Sequence, residues 1–416
     1  MSSLSIGIVF GGLSPEHEVS IITSLQAASA MDRSRYTPVA IYLAKDGMWY
    51  TGDELLSIEA YTDISALLKK ATRVEIIPGM NRRLHLREDA NRGFFSRTSR
   101  EWTIDVMFLG LHGGSGENGG MQGLCELLDV PYTGSGVLAS SLAMDKVRAK
   151  QYCESFEIPV LPSQNVREKQ WADREEIWLD QLTSSLGLPL VVKPVKLGSS
   201  VGISHVESRE KLDYAIEEAF RYDEDVMIEK AIVNLRELNC SVLGDEDDAV
   251  ASVLEEPVTR GILTYEDKYM SGDVGGKGVG DQGVRAQGIG AKHPDAQGGM
   301  ASQERLIPAP VSEDLATRVR SLAVQIFQLL GCAGAARIDF LMDEDSGRVY
   351  FNEINTIPGS LSFYLWKPTG VEFHELVERL IQIGLSRYAS RANRVRTYDA
   401  NLLAERSARG LKGSKS

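Results

Sequence analysis

The sequence predicts an α/β protein: an N-terminal unit built on a mostly parallel sheet, followed by two further α+β units. Three observations predict it. Short apolar runs of strand length alternate with stretches of helical periodicity. The first run ends in Gly11-Gly12, a strand-ending turn signal. The chain has 416 residues, room for two to four domains at roughly 100–200 residues each.

Taken in order, residues 5–10 (Ser-Ile-Gly-Ile-Val-Phe) read as a buried first strand. Ser20 to Met31 reads as a helix with Ile21, Leu25 and Ala28 on one face. Strands follow at 38–43 and 104–109, and the polar, Arg-rich stretch 80–102 between them reads as a surface excursion. A second unit opens near Gly134, with a helix over 141–156, a strand over 188–193, a Gly-Ser turn and a returning strand over 201–206. A helix over 209–220 and a strand over 225–230 complete it. The third unit, from about 236 to 386, has strands near 238–243, 249–254, 335–342 and 348–353 and a helix over 312–330. Ten glycines and little apolar pattern make 271–303 a mobile loop. Residues 391–416 carry seven basic and two acidic residues and few large apolar ones, the composition of a disordered, solvated tail. The expected domains are therefore 1–134, 135–232, 233–390 with the insertion 271–303, and the tail 391–416.

Composition narrows the function. Hydrophobic residues are 43% and charged residues 25%, a soluble globular balance. Lys plus Arg is 45 against 58 Asp plus Glu, a net charge of −13, which argues against a general nucleic-acid binder or attachment to anionic lipid. No run approaches the roughly 18 apolar residues of a membrane span. Met1 to Ile8 lack the pattern of a secretion signal. Four isolated cysteines and six histidines disfavour a zinc site or a disulfide framework, and the expected compartment is the reducing cytoplasm.

Four constellations carry candidate chemistry. Val191-Val192-Lys193-Pro194 runs into Gly198-Ser199-Ser200-Val201-Gly202. A glycine-rich turn exposes backbone N–H groups to phosphate, and Lys193 adds charge; a plain hairpin turn has the same look. The Walker pattern is absent, and the GxSxG match precedes a strand rather than the helix that a nucleophile elbow needs. Further on, alternation puts Arg337 and Asp339 on one strand face, and Glu353 and Asn355 on one face of another. If the strands are neighbours, these oxygens suit Mg²⁺ beside nucleotide phosphates; a cross-strand salt bridge is the simpler reading. In Gly11 to Ser20, Glu16 or Glu18 sits where α/β proteins bind ligands and is suited to a substrate ammonium, or else to helix capping. Lys268-Tyr269 precedes the glycine-rich loop, either as chemistry or as ordinary loop surface.

In this order, these pieces resemble the ATP-grasp fold and, within it, the D-alanine–D-alanine ligases, from about residue 5 to 386. The matching motifs are Gly11 to Ser20; His112-Gly113 with Gly116-Glu117-Asn118-Gly119; Pro131 to Gly136 through Met144-Asp145-Lys146; and Lys193 to Gly202. Glu229-Lys230, Arg337-Ile338-Asp339 and Asn352 to Thr356 with Pro358-Gly359 complete the set.

The resemblance implies a Rossmann-like first domain, two ATP-binding domains, and a ligase that joins two D-alanines through an acyl phosphate for peptidoglycan precursors. It implies that Glu16 holds the first D-alanine's ammonium and forms a triad with Ser199 and Tyr269. Lys146 and Lys193 would contact ATP phosphates, with Ser200 in the covering glycine loop. Glu229, Lys230 and Ile232 would line the adenine pocket, and Glu237 would take the ribose. Lys268 joins the ATP and substrate set, and His112 and Tyr364 the substrate set. Asp339, Glu353 and Asn355 would ligate two Mg²⁺ ions, with Mn²⁺ as an alternative. Arg337 and the Gly359 N–H resemble an oxyanion-holding pair. A cytoplasmic homodimer acting on small molecules, with no nucleic-acid or membrane partner, completes the expectation.

The sequence departs from the family pattern at Asn118, where aspartate is usual, at the long 271–303 insertion, and at Tyr364, where a serine is common. The last keeps D-lactate, D-serine or another amine open as second substrate, while Tyr269 favours D-alanine. A nucleotide-binding module without turnover is disfavoured by the full Asp339, Glu353 and Asn355 set, and a serine hydrolase by the missing elbow.

Overall fold

The computed structural model describes residues 3–79, 82–89, 99–198, 201–258 and 305–396. Among the described residues there are three sheets. The first has seven strands in the order β6-β5-β4-β3-β2-β1-β7. β1 (Leu4–Gly11) lies parallel to both β2 (Tyr36–Leu43) and β7 (Val106–Leu109). From β2 outward the sheet turns antiparallel through β3 (Trp49–Thr51), β4 (Thr72–Ile77), β5 (Leu84–Glu88) and β6 (Glu101–Ile104). The mostly parallel sheet expected from sequence is thus a parallel centre with an antiparallel wing.

That wing corrects the reading of 80–102 as a surface excursion. Leu84 and Leu86 of β5 are buried, while Arg87 faces out and pairs with Glu75 across the strands. Period-2 alternation is present, but the charged outer face disguises it. The single strand expected at 104–109 is also two, with Asp105 between them exchanging hydrogen bonds with Ser5.

Helix His17–Ala30 follows β1 and buries Ile21, Leu25 and Ala28. The helix expected at 141–156 is two helices, Val137–Met144 and Lys146–Glu154. Asp145 separates them because its carboxylate caps the second by accepting from the Arg148 N–H. The four free cysteines are all buried, and burial pushes their thiols up to about 12.

The second sheet is antiparallel, in the order β10-β9-β11-β8: β8 (Ser163–Arg167), β9 (Leu190–Pro194), β10 (Ser204–Val206) and β11 (Asp225–Lys230). Helices Glu168–Leu186 and Arg209–Phe220 cover it, and Trp171, Leu182, Leu212 and Ile216 fill the space between. The third sheet runs β14-β13-β12-β15-β16. Its strands are β12 (Leu235–Gly244), β13 (Ala249–Pro257), β14 (Arg305–Leu306), β15 (Gly334–Asp343) and β16 (Arg348–Asn355). Helix Glu313–Leu329 buries Ile326 and Phe327 against it.

The chain then returns to the first sheet. Helix Phe373–Ala392 places Leu376, Val377, Leu380 and Ile381 in the same core as Met31, Tyr36 and Val130. Each such side chain contributes roughly 1.5–3 kcal/mol by burial. The first six residues of the basic segment 391–416 belong to this docked end: Arg391 pairs with Glu126, and Arg396 with Asp129. The insertion 271–303 lies outside the described residues.

Candidate active site

One cleft draws on all three sheets. Glu16 and Glu117 line it from the first unit, Lys146 and Gly198 from the second, and Glu353 and Asn355 from the third. Glu16 stands at the N-terminus of helix His17–Ala30. The loops around it pack glycines close to its carboxylate, and the backbone at Gly113 favours glycine. A Cβ on Gly113, whose φ is +67°, would lie 2.7 Å from Glu16 Oε2, and one on Gly198 would lie 3.1 Å away.

Lys146 and Lys150 sit one turn apart on one helix face. Lys146 Nζ donates to Leu197 O at 2.6 Å and lies 3.2 Å from Glu353 Oε2. Lys150 reaches Glu229, and Lys193 Nζ is 2.6 Å from the other Glu229 oxygen. Register explains the second contact: Val191 faces Glu229, so Lys193, two residues on, shares its side of the sheet. Burial works against the Glu229 anion, yet the two lysines hold its carboxyl below the ordinary range. Burial pushes Lys150 down to about 8 against the pull of Glu229. Lys193 also donates to Asn352 Oδ1 at 3.1 Å, tying the second sheet to the third.

The expected neighbouring strands are β15 and β16. Asp339 faces Glu353 and Arg337 faces Asn355 in register. The cross-strand alternative is present in part, within one strand: Arg337 grips Asp339 with two contacts of 2.7 Å. Asn355 Nδ2 donates to Asp339 Oδ2 at 3.2 Å. Two carboxylates and an amide side by side are hard donors of the kind Mg²⁺ takes. Among the described residues no group of three or more His, Cys, Asp and Glu is placed to hold an ion by itself. An ion here would therefore complete its shell with water or phosphate oxygens, as Mg²⁺ habitually does.

After β16 the chain makes a 3₁₀ turn, Gly359–Ser362, in which Ser360, Leu361 and Ser362 have φ of 49°, 54° and 51°. Left-handed backbone costs non-glycine residues roughly 1–2 kcal/mol each, so the turn needs restraint. A chain of neutral hydrogen bonds supplies it. The Ser360 N–H donates to Thr23 Oγ1 at 2.9 Å, Thr23 meets His112 Nε2 at 2.9 Å, and His112 bonds the Ile357 backbone. Burial lowers His112 to about 4, so it is neutral. Glu117 braces the same loop by accepting from Gly113 N–H at 2.7 Å and Ile357 N–H at 3.0 Å. Burial and the nearby Glu16 charge push it up to about 8.

The remaining predicted residues are more dispersed. Lys230 spends its ammonium on Leu186 O at 3.0 Å, at the C-terminal end of a helix. Ile232 is half-buried in the link between β11 and β12, and Glu237 is half-buried on β12. Tyr364 sits among charged side chains. Its hydroxyl donates to Glu255 Oε1 at 3.4 Å and bonds Arg337, while Arg305 lies 4.4 Å over its ring. Ser199, Ser200, Lys268 and Tyr269 lie outside the described residues. The sequence reading missed Lys150, Glu255, Arg305 and the bracing role of Glu117. Only Lys150 had a local signal, four residues beyond Lys146.

Comparison with known proteins follows the same outline. Residues 5–135 match the family described as D-ala D-ala ligase N-terminus. Residues 152–279 and 295–382 match D-ala D-ala ligase C-terminus. A D-alanine–D-alanine ligase of Thermosipho melanesiensis is 34% identical over 96% of this chain and 98% of its own length. One of Geobacillus kaustophilus is 35% identical over 92% of this chain and 95% of its own. The solved D-alanine–D-alanine ligase of Coxiella burnetii superposes with a TM-score of 0.73 at 26% identity, covering 94% of this chain and 97% of that one.

Proposed function

Because this chain belongs to the D-alanine–D-alanine ligase family, we propose that it joins two D-alanines to D-alanyl-D-alanine, consuming ATP through an acyl phosphate. The observation that carries this reading is the cleft in which Glu16, Lys146, Glu353 and Asn355 converge from three sheets. A carboxylate is a poor acyl donor until it is phosphorylated, so the site must hold an amino acid and a nucleotide together. When bound, ATP with Mg²⁺ supplies the phosphoryl group and the counter-charge for it.

The chain's own residues do the positioning. Glu16 suits the ammonium of the first D-alanine, with Ser199 and Tyr269 as its triad partners. Lys146 and Lys193 suit phosphate, with Ser200 in the covering loop and Lys268 beside them. Glu229, Lys230, Ile232 and Glu237 flank the link between the second and third sheets and are assigned to the nucleoside. Asp339, Glu353 and Asn355 would hold the metal ions. Arg337 and the Gly359 N–H, at the start of the braced turn, are the pair assigned to the oxyanion. His112 and Tyr364 complete the substrate wall. No described helix is long and apolar enough to cross a membrane. Family membership supports a cytoplasmic homodimer that feeds peptidoglycan synthesis, with no nucleic-acid or membrane partner.

The test is ADP release with D-alanine, D-serine and D-lactate offered in turn as second substrate, with the product identified by mass. D-Alanyl-D-alanine as the main product is expected. Release that needs a different second substrate would replace this reading.

A further inference from the structure

We propose that Arg305 is the cation that meets the carboxylate of the second, acceptor amino acid, with Glu255 and the Tyr364 ring holding its guanidinium in place; this rests on the ligase reading above. Arg305 opens β14, where it pairs with Pro257. Its Nη1 donates to Glu255 Oε2 at 3.3 Å, and its guanidinium carbon lies 4.4 Å from the centre of the Tyr364 ring. Glu255 is buried, and its other oxygen accepts from Asn239 Nδ2 at 2.9 Å and from the Tyr364 hydroxyl at 3.4 Å. The Tyr364 hydroxyl also bonds Arg337, which grips Asp339. One connected set of side chains thus runs from Arg305 through Arg337 and Asp339 to Asn355, which lines the cleft.

Three features favour a ligand role over simple packing. Buried ion pairs stabilise a fold no better than well-packed apolar side chains of the same volume. This set nonetheless spends two arginines and two carboxylates, and it meets the cleft at Asn355. Of the two arginine–carboxylate pairs, Arg305 with Glu255 is the looser: 3.3 Å, against 2.7 Å twice for Arg337 with Asp339. A guanidinium stacked on a ring keeps its N–H fork in the plane, the arrangement that takes a carboxylate bidentately. Finally, position 364, where a serine is common in the family, carries a tyrosine whose hydroxyl is engaged by Glu255 and Arg337. Tyr364 serves as the platform under Arg305.

The test separates acceptor from donor. D-Alanine and D-alaninamide, which lacks the carboxylate, are compared as acceptors. The donor half-reaction is followed by trapping the acyl phosphate with hydroxylamine. In Arg305→Met, the acceptor KM for D-alanine is expected to rise tenfold or more, the D-alaninamide reaction to change less than twofold, and hydroxamate formation to stay unchanged. Glu255→Gln should show the same acceptor-selective loss in milder form, and it serves if Arg305→Met does not fold. Equal losses with both acceptors, or an unchanged acceptor KM, would overturn the assignment. Absence of hydroxamate from the unaltered enzyme would instead remove the ligase reading beneath it.

Discussion

Two buried glutamates, Glu229 on β11 and Glu255 on β13, each gather cations around them, and they balance charge differently. Glu229 serves two lysines, Lys150 and Lys193. Glu255 serves one arginine and two neutral donors, Asn239 and Tyr364. The first cluster carries surplus positive charge, suited to a polyanion. The second is balanced, suited to a zwitterion that brings its own amine and carboxylate. A shared scaffold residue type therefore produces two kinds of pocket, according to how many cations it must neutralise.

The largest expected effect distinguishes the two directly. Glu229→Gln leaves two buried lysines without their counter-charge and should cost about 3–5 kcal/mol of stability. Glu255→Gln keeps an oxygen acceptor and strands one arginine, so a loss of about 1–3 kcal/mol is expected. Urea denaturation of both variants measures the difference, and equal losses would break the comparison.

Turnover should divide along the same line. Lys193→Ala and Glu353→Ala should each remove about 2–4 kcal/mol of transition-state stabilisation, read as ADP release. Arg305→Met should spare the acyl-phosphate step altogether. Near-normal ADP release by either of the first two, in a folded protein, would mean that the cluster assigned to phosphate has another role.

The neutral brace around His112 can be tested by pH. His112 has a folded-state value of about 4 against an ordinary 6.5. The unfolded chain therefore binds the extra proton between those values, and stability falls as pH drops from 6.5 to 4, by up to about 3 kcal/mol. Glu117 acts in the opposite sense. Its value of about 8 against 4.5 means that the folded chain binds more protons, so its share of stability falls as pH rises through that range. Subtracting the urea-derived stability of His112→Gln from that of the unaltered chain at pH 7 and pH 4.5 isolates the histidine. A difference independent of pH would show that His112 does not sit neutral in this brace.

The smallest effect belongs to Tyr364→Phe. The hydroxyl contact with Glu255 is long, at 3.4 Å, and the ring that supports Arg305 is kept. A loss of about 1 kcal/mol, roughly fivefold in acceptor KM, is expected when the two D-alanine constants are measured separately. A much larger change would restore the hydroxyl as a direct substrate contact.

The contrast between the clusters also explains what could be read from sequence. Two-residue alternation predicts Arg337 with Asp339 on one strand face and Glu353 with Asn355 on another, and the pairing of β15 with β16 supplies the adjacency that the string leaves open. The strand at 225–230 and the helix at 209–220 have the bounds their patterns predicted. Arg305 and Glu255 are fifty residues apart in the chain, and only the pairing of β14 with β13 brings them together. No local periodicity encodes such a contact. Strand β5 is hard to read because His85, Arg87 and Glu88 outnumber its two buried leucines in a five-residue run. Helix Phe373–Ala392 has a regular apolar stripe, but its partner is the first sheet, which nothing nearby in sequence could indicate.

That last helix has a consequence for how the protein is made. The first core contains residues from both ends of the chain, so the ribosome delivers β1 and β7 long before the helix that covers them. At roughly 5–20 residues per second, the wait is on the order of 10–50 s. Through that interval Met31, Tyr36 and Val130 lack their final cover. The nascent chain thus presents an apolar face until Phe373–Ala392 has been made, and a chain terminated before Phe373 would never withdraw it.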